Sequence, residues 1–228
     1  MMKSISGRLG VVALGALLGA CAGTGDVSED KGSGFLRDTS RLVESKDGAG
    51  LTIRQWASPK FTPANYNAIL LDPLVFYPEP RPTERVSAET LQQILKYSND
   101  VLKRSLDKRF NVVDRAGPGV VRIRGAFSSI GVQAEGRKAY QYIPIAFLIT
   151  AASRAAEGAP QQALIVVEAE VTDSVTGELL AERIRIGTGA TLAQFSDKDA
   201  LTLDRVKPLL DEMAAAAMPE LGKFVKGK

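Results

Sequence analysis

Histidine is absent from the 228 residues, and cysteine occurs once. The first absence removes the commonest general base and the commonest metal ligand together, so zinc, haem and Ser-His hydrolase chemistry have no ready means. The second rules out an internal disulfide, and the folded part must stand on its hydrophobic core. Hydrophobic residues make up 45% of the chain, which is enough for one such core. An excess of one charge is lacking too. The net charge of +3 includes Lys3 and Arg8 near the start, and without them the basic and acidic side chains nearly cancel, so no nucleic acid is expected as a partner. There is no Walker sequence, no Gly-x-Ser-x-Gly elbow, no Cys or His cluster and no internal repeat. Gly187-Thr188-Gly189 follows a predicted strand but lacks the third glycine of a phosphate loop. Carboxylates, Lys, Tyr and Ser remain for catalysis, in no recognisable arrangement, so no catalytic residue, metal site or cofactor is assigned.

What is present begins at the N-terminus. Lys3 and Arg8 lead into the apolar run Leu9 to Leu18, which closes on Leu18-Gly19-Ala20-Cys21. The run is about 10 residues against the roughly 20 of a spanning helix, and Gly19 and Ala20 are small enough for a signal peptidase. These four residues resemble the lipobox of bacterial lipoproteins. By that resemblance the Cys21 sulfur carries a diacylglycerol thioether and its freed amino group a further chain, and more than one chain makes a stable anchor. The expected layout is a signal peptide over 1–20, a flexible tether over 21–34 rich in Gly, Ser, Thr and charged residues, and a single periplasmic domain over 35–228. Ala22, where Asp would signal retention, is similar to the outer-membrane sorting pattern of enteric bacteria.

The rest of the chain alternates between strand and helix signals. Phe35 to Ser58 is mixed and polar, which predicts loop with one short strand at most, its scattered apolar residues docked on the domain's outside. Ala68 to Tyr77 predicts a buried strand made irregular by Asp72-Pro73, and Pro78, Pro80 and Pro82 a stiff extended connector. Ser87 is the expected N-cap of a helix through Arg109, with Leu91, Ile94, Leu95, Val101, Leu102, Leu106 and Phe110 on one stripe. Ser98 and Ser105 lie on that stripe, where small side chains permit close approach to a sheet. A short strand over Asn111 to Asp114 and a turn at Gly117-Pro118-Gly119 lead to a longer strand, Val120 to Val132. Its Val121, Ile123 and Phe127 share one face, and Arg122 and Arg124 the other. Tyr140 to Ala156 reads as an apolar helix entered after Pro144, either closing the core's edge or serving self-association or membrane dipping.

Gln162 to Thr172 and Glu178 to Thr188 form the clearest hairpin, with Gly177 providing the positive φ of its loop. Alternation puts Ile165, Val167, Ala169 and Val171 on one face and Glu168 and Glu170 on the other. Arg183 and Arg185 are then expected to pair with these acids across the hairpin. With Arg122 and Arg124 alongside, the six residues predict a charged face, either a solvent-exposed ion ladder or an anion or partner patch. Guanidinium groups depress carboxylate pKa values, which suits such acids poorly to general acid work. The last helix is expected to be capped by Asp204, to hold Pro208 in its first four residues and to bury Val206, Leu209, Leu210, Met213, Ala217 and Leu221. Pro219 predicts a kink or restart.

Gly34-Phe35-Leu36, Arg41-Leu42, Tyr66 ahead of Leu71-Asp72-Pro73, Gly117-Pro118-Gly119-Val120, and Glu168 to Asp173 followed by Ser174 and Thr176-Gly177-Glu178 resemble one known set. It is the uncharacterised Gram-negative lipoproteins grouped as domain-of-unknown-function family thirty-three thirteen. That resemblance implies a lipoprotein and carries no established activity. The order of elements predicts an α+β fold, an antiparallel or mixed sheet of about five strands with two long helices packed on one face. The expected function is a non-enzymatic binding or assembly module on the outer membrane, anchored to the membrane through lipid on Cys21, with an envelope protein or peptidoglycan as partner. Two rivals stand beside it. One is a carboxylate-based hydrolase of cell-wall material using Glu168, Glu170 and Asp173, and the other a ring-forming envelope subunit joined through Tyr142 to Ala152.

Overall fold

The computed structural model describes residues 33–47, 50–84, 86–134, 161–188 and 200–228. The lipobox residues Leu18, Gly19, Ala20 and Cys21 and the apolar stretch Tyr140 to Ala156 lie outside them.

The fold is α+β. Its strands are β1 (Val43–Lys46), β2 (Thr52–Ala57), β3 (Ala68–Leu71), β4 (Val75–Phe76), β5 (Val112–Val113), β6 (Val120–Ala134), β7 (Gln161–Asp173) and β8 (Leu179–Thr188), with helices α1 (Ala88–Arg109) and α2 (Leu203–Leu221). They form one 8-stranded mixed sheet in the order β1-β2-β8-β7-β6-β3-β5, with β4 also on β6. The pairs made by β3, β4 and β5 are parallel, and all the others are antiparallel.

The sheet is therefore larger than the expected five strands. Ala68 to Tyr77 splits at Asp72-Pro73-Leu74 into β3 and β4, because proline cannot donate to a ladder. The stretch expected as loop supplies the edge hairpin β1–β2 instead. Its Phe35, Leu36, Leu42 and Ile53 are buried rather than docked outside.

Helix α1 starts as expected, with Ser87 Oγ accepting from the Thr90 N–H at 3.0 Å. Glu89 in its first turn and Lys108 and Arg109 in its last complement the helix dipole. Helix α2 begins earlier than expected. Thr202 holds the N-cap position without a side-chain bond, Asp204 sits in the first turn, and both Pro208 and Pro219 fall inside the helix, which runs on to Leu221. Both prolines are exposed, so the missing N–H bonds fall on the solvent side.

Both helices pack on one face of the sheet. Leu91 and Ile94 of α1 and Val206, Leu209 and Met213 of α2 cluster with Phe127, Ile130 and Ile165, while Leu106 and Met218 meet Val121, Ile123 and Val171. The opposite face is covered by the segment entering the domain: Phe35, Leu36 and Leu42 rest on Ala126, Leu164, Val166, Ile184 and Ile186. A register shift between Phe127 and Ser129 inserts Ser128 as a bulge, and this turns both Phe127 and Ile130 toward the helices. Phe127 is 2% exposed. Replacing it with Ala is expected to lower the stability measured by urea denaturation by about 3–5 kcal/mol, whereas Ser87→Ala at the helix cap costs about 1 kcal/mol.

Candidate functional site

The charged residues of the β7–β8 hairpin divide between two faces. Glu170 stands opposite Glu182 and Glu168 opposite Ile184, whereas Ala169 stands opposite Arg183 and Val167 opposite Arg185. Directly opposed residues share a face. Arg183 and Arg185 consequently turn toward the helices, and Glu168 and Glu170 turn away from them with Arg122 and Arg124. The single face of six charges expected from the sequence is thus corrected. Charges alternate along both strands, so the loop and the shift at Leu180 decide which of them meet, and a one-residue difference reverses every pairing.

On the outer face each charge has its own partner. Arg122 pairs with Asp72 at 2.8 Å, and Arg124 with Glu170 at 3.0 Å while lying over the Phe35 ring at 5.2 Å. Glu168 is 2% exposed and accepts the Leu36 N–H at 3.4 Å. Glu182, 1% exposed, accepts from Arg41 Nε at 2.9 Å and Nη2 at 2.6 Å, and that guanidinium lies 3.9 Å over the Trp56 ring. The segment around Phe35 to Arg41 therefore supplies the groups that satisfy two buried carboxylates. Asp173 is occupied too. The Thr176 and Val175 N–H groups and the Tyr66 hydroxyl donate to it, and the Thr176 bond leads in holding its carboxyl below the usual range. Burial and the same contact push the Tyr66 hydroxyl up to about 12. Asp173 is a brace for the hairpin loop, and an acid kept ionised in this way does not donate protons at neutral pH.

The helix face holds a cavity of about 550 Å³ between the sheet and the two helices. Its walls are mostly apolar, with Leu74, Leu102, Ile123, Phe127, Val167 and Leu210 among them. Its floor is low at Ala169, and the space above the neighbouring Gly125 is taken by Leu74, whose Cδ2 would lie 2.6 Å from a Cβ there. The exposed lining residues Val43, Ala57 and Lys223 mark the mouth, beside the edge hairpin.

Between mouth and apolar interior runs strand β8. Arg183 donates to Gln55 Oε1 at 2.7 Å and to Glu220 Oε2 at 2.8 Å. Arg185, 6% exposed, donates from Nη1 to the Met213 carbonyl at 2.8 Å. Its Nη2 stands 2.6 Å from Asp47 Oδ2, a charge contact whose angles fall short of a hydrogen bond. Burial lowers the Arg185 pKa, opposed by Asp47. Burial also works to raise Glu220, but the bonds from Lys223 and Arg183 outweigh it and leave its pKa below the ordinary carboxylate value. Asp47, Glu182 and Glu220 carry no motif and are not legible as site residues in the sequence, and Arg41 is marked there only by the family resemblance. The one available signal was charge set among apolar strand residues. Among the described residues no group of His, Cys, Asp and Glu is placed to hold a metal ion.

A family described as protein of unknown function (DUF3313) matches residues 31–217. The chain belongs to this family. It is similar to the uncharacterized lipoprotein YdcL of Escherichia coli strain K12 and of Escherichia coli O157:H7, 29% identical over 206 residues, spanning 89% of this chain and 92% of the relative. The expected membership of a lipoprotein family thus holds. Among solved structures, a PelC dodecamer from Paraburkholderia phytofirmans matches 72% of this chain and 94% of its own at a TM-score of 0.32 and 11% identity. A PDZ domain protein from Parabacteroides distasonis matches 75% of this chain and 34% of its own at a TM-score of 0.33 and 14% identity. Scores at that level carry neither fold nor function across to this family member.

The two kinds of ion pair predict different mutational costs. Arg41→Ala strands the Glu182 carboxylate without its partner and is expected to cost about 3–5 kcal/mol in urea denaturation, against under about 1 kcal/mol for Arg122→Ala at a half-exposed pair. Glu220 supplies a pH dependence. Its folded pKa lies below the unfolded one, so its contribution is present above the ordinary carboxylate pKa of 4.5 and is lost as pH falls through the folded value. Thermal melts taken from neutral to acid pH are expected to decline less steeply for Glu220→Gln than for the parent protein.

Proposed function

We propose that this lipoprotein is anchored through Cys21 to the outer membrane, faces the periplasm, and works as a non-enzymatic module that binds another envelope component in the cavity beneath its two helices. The observation that carries this reading is the cavity itself. At roughly 24 cal/mol per Å³, an empty space of that volume sealed in a core would cost on the order of 10 kcal/mol, comparable to the whole stability of a domain. Such a space is sustained only when something fills it, water or ligand. Its size lies within the ~300–1,000 Å³ of small-molecule sites, and its mix of apolar walls with a few polar groups is the usual composition of such sites.

The carboxylates favour binding over hydrolysis. Glu168, Glu170 and Asp173 each accept a bond from a neighbour that holds them within the fold. A lipid anchor and a ligand cavity combine naturally in a protein that meets its ligand at a membrane face.

Native mass spectrometry of the purified, acylated chain is the test. A population heavier than the covalently lipidated protein by a non-covalent mass is expected, and acylated protein of bare mass alone, in gently extracted preparations, overturns the binding reading. Density-gradient fractionation tests the location independently. The parent protein is expected with outer-membrane markers, and Cys21→Ser is expected to leave those fractions.

A further inference from the structure

The pairing registers reveal a row that runs straight across the sheet under the helices. Val43 stands opposite Gln55, Gln55 opposite Arg183, Arg183 opposite Ala169, and Ala169 opposite Gly125. Read from the mouth inward, the row passes from an exposed apolar edge residue through an amide and a guanidinium to two residues with almost no side chain. The trough ends against Leu74, whose Cδ2 occupies the space over Gly125. From β8 across β7 to β6 is two strand spacings, roughly 10 Å at about 4.8 Å each. Cations concentrate where the trough meets the mouth. Arg183, Arg185 and Lys223 line the cavity there, while of the acids Glu220 shares Arg183 and Lys223, Asp47 stands against Arg185, and Glu182 is bound to Arg41 on the opposite face.

One polar atom in this wall has no partner. Arg185 is more than nine-tenths buried and lines the cavity, yet among the described residues its Nε meets no acceptor. That Nε is closed to the cavity as well as to solvent, so the donors open to a ligand are the exposed Lys223 ammonium at the mouth and, further in, the guanidinium of the 19% exposed Arg183 side chain. The apolar length beyond it excludes a small hydrophilic anion as the whole ligand, since such an ion would leave the trough unfilled.

We propose that the cavity binds a single-chain anionic amphiphile. Its carboxylate or phosphate oxygens accept from Arg183 and Lys223 near the mouth, and its hydrocarbon chain lies over Ala169 toward Leu74 and Phe127. This deepens the binding reading above and rests on it.

The experiment uses membrane vesicles carrying the full-length, acylated chain, irradiated with a photoactivatable hexadecanoic acid and, in parallel, with the matching uncharged hexadecanol. Adducts are expected on peptides of β6, β7, β8 and α2, with the acid labelling about tenfold more than the alcohol. Ala169→Leu fills the trough and is expected to cut labelling about tenfold. Should that variant fail to accumulate, Ala217→Leu fills the same space from the helix side. Arg183→Gln replaces the charge with a neutral amide donor and is expected to erase the preference for the acid. Feeding the acid probe to growing cells separates the sources, because the adduct mass distinguishes a free fatty acid from a lysophospholipid.

Equal labelling by acid and alcohol, labelling unchanged by both trough-filling variants, or adducts confined to the Cys21 peptide would each overturn the proposal. A non-covalent mass in the native spectrum together with any of these results removes the amphiphile and leaves the binding reading standing. Loss of that mass removes both.

Discussion

A sheet covered on both faces leaves no free place for charge, and the β7–β8 hairpin at its centre carries Glu168, Glu170, Glu182, Arg183 and Arg185. Each of these ions would cost several kcal/mol if desolvated alone. None finds its partner within the hairpin. Leu36 and Arg41 come from the segment entering the domain, Arg124 from the neighbouring strand, Asp47 from the loop between β1 and β2, and Glu220 from the end of α2. Neutralising the centre thus fixes the periphery, and segments distant in sequence are drawn onto the sheet by charge as much as by apolar contact.

The same constraint shapes the space under the helices. Helix α2 meets β8 through bonds from Arg185 to the Met213 carbonyl and from Arg183 to the Glu220 carboxylate, and by close packing of Met213 and Leu209 over Gly187. Beside this contact the floor drops at Ala169, next to the Leu74 side chain over Gly125, and a cavity remains where a denser core would have been more stable. Stability given up at one place in an otherwise well-packed fold is a common mark of a binding site. A mostly apolar cavity with cations at its mouth is the feature on which the proposed amphiphile rests.

Local signals made much of the architecture legible. The spacing of Leu91, Ile94 and Leu106 with Ser87 as cap specified α1, and alternation with Gly177 at the loop specified the long hairpin, because each depends on residues close in sequence. The start of α2 was read late, since Asp204 is a better cap by type than Thr202 while the helix is set by how Val206 and Leu209 meet the sheet. The edge hairpin was read as loop, because its strands owe their stability to pairing with β8 rather than to any pattern of their own.

By itself the sequence determined the lipoprotein character, the absence of histidine and disulfide chemistry, the long helices and the alternating charges of the central strands. Tertiary structure alone decided which charges meet, since a strand has two equivalent faces and only the register chosen by loop and bulge selects between them. It also decided that Gly125, Ala169 and Arg183 share one row. That juxtaposition joins residues of three strands and exists only once the sheet is assembled.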